Sequence, residues 1–442
     1  MMKTPIYDFL KRYNASDSVR LHMPGHKGKS ALGEITGLDI TEIRGADSLF
    51  EADGIISESE RYASELYGCR TFYSTEGSSL AIKAMLHLAA LFAKETGNTR
   101  PLILAGRNAH KAFLSAAALI DFDVEWIYGS SSYLSCEIKA TDIEARLASE
   151  KRRPSAVYLT SPDYLGNVAD IAGIASACHK YGVLLLVDNA HGAYLKFLPE
   201  SQHPMDLGAD MSAASAHKTL PVLTGGAYLH VKEELSESII KQAKPALALY
   251  GSTSPSYLIL ASLDLANSST QSLSEILCQA AFLKSKISEL GISTVGNEPL
   301  KITLAPKSYG YTGEQLGAYL EGVGVIPEFC DPDYTVIMIS ENTSTKDILR
   351  TQSALEALPR KAPINELPPK MGAPRVAMSP REAVFSPSES VTTSEAEGRI
   401  LSAVTVGCPP AVPIVVSGEI ISRDAIEVMN YYGINRVNVV KK

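Results

Sequence analysis

Through the middle of the chain, short continuous apolar runs alternate with stretches whose apolar residues recur every three or four positions. Residues 102–105, 124–128, 156–160 and 183–187 are too short for helices and are bounded by polar residues or glycine, so each predicts a buried strand. Residues 211–215 and 226–231 are two further strand candidates. Residues 78–94 carry Leu80, Ala84, Leu88, Leu91 and Phe92 at helical spacing. Residues 112–119, 141–149 and 171–181 predict helices between the strands. Thr141 with Glu144 three positions on reads as a capping box, and Gly182 as a helix stop. Strands apolar on both faces, with helices between them, must be covered on both sides, which is the α/β class with a mostly parallel sheet.

Beyond residue 290 the rhythm changes. Residues 301–304, 335–340 and 375–378 predict strands, with helices at 313–321 and 345–358 between them, as in a smaller C-terminal α/β layer domain. The proline-rich stretch 359–380 predicts an irregular connection. The expected division is an N-terminal segment over 1–60, a large domain over 61–290 and a small domain over 291–442. Helices over 254–267 and 272–290 would bridge the two domains.

Composition narrows the function classes. Among 442 residues, 41 Lys+Arg face 49 Asp+Glu, a net charge of −8 without a basic block, so neither nucleic acid nor an anionic membrane surface is an expected partner. No apolar run has the length of a membrane span, and the N-terminus lacks the apolar stretch of a signal peptide. Six scattered cysteines form no CxxC pair, which suits reduced thiols in a cytoplasmic enzyme. Without an HExxH or a Cys/His cluster at ligand spacing, no metal site is expected.

Two segments carry the chemistry. Ser215-Ala216-His217-Lys218-Thr219 follows one strand, and Asp188-Asn189-Ala190-His191-Gly192 ends another. Ligands of open α/β sheets gather at the carboxyl ends of strands, so both segments point to one crevice. A lysine that can form an imine and a carboxylate that can hold a pyridinium proton are what pyridoxal 5'-phosphate (PLP) asks of a protein. Burial and nearby positive charge would lower the Lys218 pKa and raise its nucleophilic fraction. Gly77, Ser78 and Ser79 stand before a helix expected from Leu80, where unpaired amides favour a phosphate. Ser215 and His217 flank the lysine closely enough to reach the same group. His110, just after another strand, could stack flat on a pyridine ring, whereas His87, His179 and His230 fall in structural patterns.

Together these pieces resemble the Orn/Lys/Arg decarboxylase family of fold-type-I PLP enzymes over nearly the whole chain. Pro24-Gly25-His26-Lys27-Gly28 is similar to the family's entry segment, and Asp39-Ile40-Thr41-Glu42 and Ser57-Glu58-Ser59-Glu60 follow its usual run. Thr75-Glu76-Gly77-Ser78-Ser79 resembles its phosphate loop and Arg107-Asn108-Ala109-His110-Lys111 the segment whose histidine stacks on PLP. Residues 250–257, with Ser252 and Thr253, resemble the segment by which a neighbouring subunit reaches the phosphate. Ser379-Pro380-Arg381-Glu382-Ala383 and Pro409-Pro410-Ala411-Val412-Pro413 are similar to its C-terminal signatures. Departures are Glu76 beside the phosphate loop, Cys408 for a usual Tyr, Ala411 for a usual Gly, and Ser417-Gly418-Glu419 where the family reads PGE.

The resemblance implies a fold-type-I transferase fold, with a seven-stranded type of sheet in the large domain, in the short form without an N-terminal wing domain. It implies a homodimer with shared active sites, PLP on Lys218, and cofactor contacts from Gly77, Ser78, Ser79, His110, Asp188, His191, Ser215, His217, Ser252 and Thr253. The activity implied is decarboxylation of arginine, lysine or ornithine, with Lys218, His110, Asp188 and His217 catalytic. Glu328, Glu419, Asp331 and Asp333 are the acids offered for a cationic substrate terminus. An aminotransferase using Arg375 or Arg381 for the substrate carboxylate, or a β-eliminating lyase of the same fold, is the alternative within PLP chemistry, and a catalytically silent amino-acid or polyamine-binding homologue is the alternative outside it.

Overall fold

The structure, a computed structural model, describes residues 3–129, 137–149, 152–268, 273–408 and 412–442. The strands of its large sheet are β1 (Arg70–Ser74), β2 (Leu102–Gly106), β3 (Asp123–Ile127), β4 (Ala156–Thr160), β5 (Leu184–Asp188), β6 (Met211–Ala214) and β7 (Ala227–Val231). The helices over the same span are α1 (Pro5–Asn14), α2 (Ile55–Tyr67), α3 (Gly77–Glu95), α4 (Lys111–Ile120), α5 (Ala140–Ser149), α6 (Ile171–Lys180) and the short α7 (Ala216–Thr219). They continue with α8 (Glu237–Lys241), α9 (Ala243–Tyr250), α10 (Tyr257–Ala266) and α11 (Ser274–Glu289). The chain divides into two units, residues 1–99 with 171–272, and residues 100–170 with 273–442.

In the first unit the strands lie in the order β1-β7-β6-β5. β5 and β6 are parallel, while β7 is antiparallel to both of its neighbours. Every residue of β5 is buried, as its unbroken apolar run requires. β1 was not legible in the sequence: Arg70-Thr71-Phe72-Tyr73-Ser74 mixes polar and apolar residues, yet all but Arg70 are buried against β7. Helix α1 has a capping arrangement supplied from far along the chain. Thr4 provides no side-chain cap, and Asp264 Oδ2 instead accepts from the amides of Ile6 and Tyr7, at 2.9 and 3.0 Å. The other oxygen of Asp264 accepts from Ser59 Oγ at 2.6 Å. Burial pushes the Asp264 carboxyl up to about 6 against the pull of these donors.

In the second unit β4, β2 and β3 are all parallel. It also holds a four-stranded antiparallel sheet of β8 (Ser293–Val295), β9 (Lys301–Ala305), β10 (Phe329–Cys330) and β11 (Thr335–Met338), in the order β10-β11-β9-β8. Helices α12 (Gly313–Gly322) and α13 (Thr345–Glu356) belong to this layer, each opened by a capping box, from Thr312 and Ser344 respectively. The remainder comprises α14 (Pro380–Phe385), β12 (Ser388–Thr392), β13 (Thr405–Cys408), β14 (Val412–Val416), α15 (Arg423–Tyr431) and β15 (Arg436–Val440), around a core that includes Leu401, Ile414, Val428 and Met429.

Three local expectations change. α3 begins at Gly77 rather than Leu80, because Gly77 takes a φ of +72° that turns the chain directly into the helix and carries Ser78 and Ser79 into its first turn. Thr141 does not cap α5; the helix starts at Ala140, and Asp142 Oδ2 accepts the Lys139 amide at 2.9 Å. Residues 375–378 form no strand, only a bridge between Val376 and Glu419, since the amides of Ala377 and Met378 converge on the single carbonyl of Gly418. Residues 409–411 of the C-terminal signature lie outside the described residues.

Candidate active site

The site residues of the first unit are set by the parallel pairing of β5 and β6. Register places Asp188 opposite Ala213, so the acid and the Ser215–Lys218 turn leave the sheet at the same edge. The Asn189 amide donates to Ala213 O at 2.8 Å, stitching the two strand ends together. Asp188 is 1% exposed and its Oδ1 accepts from the Ala190 amide at 3.1 Å. Such a carboxylate cannot swing away from the edge it faces.

Lys218 is half-buried on α7, with Nζ 3.1 Å from Nε2 of buried His191. With the ammonium donating, His191 Nε2 is the acceptor, which fixes that ring's tautomer. His217 turns the other way: its amide and its Nδ1 both reach Gly226 O, at 3.1 and 3.0 Å. Nδ1 therefore carries the hydrogen and Nε2 is the basic atom.

The phosphate loop is tied to the lysine turn. Ser215 Oγ donates to Ser78 Oγ at 2.8 Å, both side chains being buried, and the Gly77 amide donates to Gly225 O at 2.7 Å. Gly77 has open space where a side chain would sit, so its positive φ, not crowding, calls for glycine there. Ser79 is half-buried on the first turn of α3. Glu76 is exposed and accepts from the Ser252 amide at 2.5 Å, so the carboxylate beside the phosphate loop has a donor of its own. Ser252 and Thr253 are exposed. A cleft of about 1160 Å³ in the same unit, lined by α2, β1 and α8–α9, includes none of these residues.

His110 belongs to the second unit. It follows β2, is half-buried, and caps α4 by accepting the Ala112 amide at Nδ1, 3.2 Å away. The acids offered for a cationic substrate terminus are all engaged within this unit. Glu419 pairs with Arg107, and Glu328 accepts from Tyr164 Oη at 3.2 Å. Asp331 Oδ1 holds its own turn through the amides of Asp333 and Tyr334, and burial pushes its carboxyl up to about 7. Asp333 takes Lys307 Nζ, Tyr431 Oη and Tyr432 Oη at 2.6, 2.8 and 2.9 Å. Arg381, offered for a substrate carboxylate, donates to Ala118 O and Leu119 O at the end of α4. Sequence reasoning named Arg107 and Glu419 separately and missed that they meet. No cluster of metal-ligating side chains occurs among the described residues.

Comparison with known proteins finds relatives along nearly the whole chain. Residues 4–290 match the Orn/Lys/Arg decarboxylase major domain and residues 365–437 match the C-terminal domain of the same family. An uncharacterised protein of Bacillus subtilis, YaaO, is 29% identical over 96% of this chain and 93% of its own length. The arginine decarboxylase of Bacillus subtilis is 28% identical over 96% of this chain and 92% of its own. The lysine decarboxylase LdcF of Francisella novicida superposes with a TM-score of 0.78 at 17% identity, covering 99% of this chain and 81% of that one. This likeness bears out the expected fold-type-I architecture with its large, mostly parallel sheet. Since the major-domain match alone spans more than half of the sequence, the chain belongs to the Orn/Lys/Arg decarboxylase family.

Proposed function

We propose that this chain is a PLP-dependent decarboxylase of a basic amino acid, arginine ahead of lysine and ornithine, releasing CO2 and the corresponding amine. The observation that carries the reading is Lys218 Nζ held 3.1 Å from His191 Nε2 on the turn after β6, at the sheet edge where β5 ends on buried Asp188. These residues fit PLP: an amine, a buried carboxylate, and an α-helix of 19 residues whose N-terminus opens on a positive-φ glycine and two serines. Bound PLP supplies an electron sink for the pair released from a cleaved Cα–carboxylate bond.

Lys218 offers the amine that takes the cofactor aldehyde, and His191 holds Nζ in place by accepting from it. Asp188, anchored by the Ala190 amide, would keep a proton on the pyridine nitrogen of bound PLP. The first turn of α3, with Ser78, Ser79 and Ser215, holds the phosphate. His110, in the role its segment's resemblance to the family implies, would stack on the bound ring and limit its tilt. Lys218 Nζ, or His217 Nε2 once it has taken up a proton of its own, would return a proton to Cα after CO2 departs; the Nδ1 bond to Gly226 O leaves Nε2 open to take one up. Exposed Ser252 and Thr253 reach the phosphate of the neighbouring copy in a homodimer. A cytoplasmic location goes with this chemistry, and no helix among the described residues is long and apolar enough to cross a membrane.

Arginine is put first because the Bacillus subtilis relative of that activity is matched along nearly its whole length. The test is purified protein with PLP, given arginine, lysine and ornithine in turn. CO2 and the matching amine are expected, fastest from arginine. A keto acid in their place would make the chain an aminotransferase. A protein that takes up no PLP would be a silent binding homologue.

A further inference from the structure

Arg107 and Glu419 are 2% and 1% exposed and meet through two parallel hydrogen bonds, Nη1 to Oε1 at 2.7 Å and Nη2 to Oε2 at 2.8 Å. A bidentate guanidinium–carboxylate pair fixes both distance and plane. In a buried setting its partners cannot part without stranding a charge. Each end is also held by its own surroundings. Nη2 donates to Ile414 O at 3.2 Å, the guanidinium lies 4.9 Å from the Trp126 ring centroid, and the Arg107 amide donates to Ile127 O at 3.0 Å. Glu419 Oε2 accepts from the Val416 amide at 2.9 Å, and the Glu419 carbonyl accepts from Leu401 N at 2.9 Å. Gly418, in the same turn, has a φ of +88°, and a Cβ there would sit 2.2 Å from Met378 O.

Only Asn108 and Ala109 separate Arg107 from His110, and the Ala109 amide closes that turn on Gly106 O at 3.1 Å. α4, which His110 caps, is gripped at its far end by Arg381 Nη1 on Ala118 O and Leu119 O, at 3.1 and 3.2 Å. The C-terminal segment thus holds both the turn that carries His110 and the helix that follows it. We propose that the Arg107–Glu419 pair is a positioning device for His110, through which the 412–419 segment holds the turn that carries the imidazole. The inference rests on the proposed role of His110 at that ring.

The experiment uses the full chain loaded with PLP and compares Arg107→Met/Glu419→Leu, His110→Ala and the three changes combined. Removing both charges together avoids stranding either one. The paired variant is expected to lower kcat about tenfold with KM within about twofold, and to weaken the visible circular dichroism of bound PLP. The combined variant is expected to be no slower than His110→Ala alone. Should the paired variant fail to fold, Arg107→Lys keeps the charge but loses the fork, and a partial loss of the dichroic band is expected from it. A combined variant about tenfold below His110→Ala, or an Arg107→Lys dichroism equal to that of the parent, overturns the coupling and leaves the decarboxylase reading standing. A His110→Ala variant with unchanged turnover and dichroism removes the role of His110, and the coupling falls with it.

Discussion

Two clusters of polar side chains in the first unit are built on different terms. Around Lys218, Asp188 leans on the Ala190 amide, His217 on Gly226 O, Ser215 on Ser78 and the lysine on His191. Beneath α2 and β7, Tyr67, His203 and His230 crowd together with ring centroids 4.5 to 5.2 Å apart. There, Tyr67 Oη and the Nε2 atoms of His203 and His230 have no partner among the described residues. Burial, with the charge of Lys196 adding to it, lowers His203 to about 3 and drives His230 well below its usual range, where His203 also contributes and Asp206 opposes. Burial also lifts the neighbouring Cys69 thiol to about 12. In this cluster the shifted titrations follow from desolvation. What distinguishes the Lys218 cluster is its place at the carboxyl edge of parallel strands and its anchoring to backbone.

Four changes test that contrast, from the largest effect to the smallest. Lys218→Ala should remove the visible absorbance of bound PLP and cut turnover about a thousandfold or more, while the urea midpoint of the cofactor-free chain stays where it was. A variant that still turns over at the parental rate would end the assignment. Asp188→Asn should keep PLP but lose about 10²–10³ in turnover, read by CO2 release at saturating arginine.

The histidine cluster should answer to acid instead. The folded chain keeps both imidazoles neutral, while the unfolded chain protonates them below about pH 6.5. The unfolded state therefore binds more protons. Stability is full above that pH and falls as the pH drops toward 3. Between pH 6.5 and 5 the loss should reach up to about 2 kcal/mol per imidazole. His203→Phe should flatten the profile in urea titrations at pH 7 and pH 5, and an unchanged slope would contradict the burial argument. Tyr67→Phe should alter stability least, by about 0.5 kcal/mol or less at pH 7. A cost above about 1.5 kcal/mol would mean that the hydroxyl is bonded after all.

Much of this was readable along the chain, for identifiable reasons. β5 and Asp188 were legible because an unbroken apolar run can end on a carboxylate only where the strand reaches a site or a cap. The Ser215–Lys218 turn was legible because it follows a second such strand. β1 was hidden because its partner β7 lies far along the sequence and only that pairing buries Thr71 and Ser74. The Arg107–Glu419 pair was hidden for the same reason: its members are 312 positions apart, and no local pattern announces the contact. Gly77 was recognised as part of a phosphate loop, but the helix start was set three residues late because a positive φ leaves no periodic trace. Thr141 failed as a cap because the helix is already under way at Ala140, with Asp142 accepting the Lys139 amide just ahead of it.

The clasp between Asp264 and the first turn of α1 has a practical consequence for anyone trimming or tagging the polypeptide. Its two backbone donors, the amides of Ile6 and Tyr7, arrive from 258 and 257 positions earlier in the sequence, and the carboxyl they serve is fully enclosed. Shortening the protein past Tyr7 would strip a sequestered acid of two of its three donors, tipping it toward the protonated form and loosening Ser59 on α2. The leading helix is thus a plug in the wall of the first unit rather than a dispensable overhang.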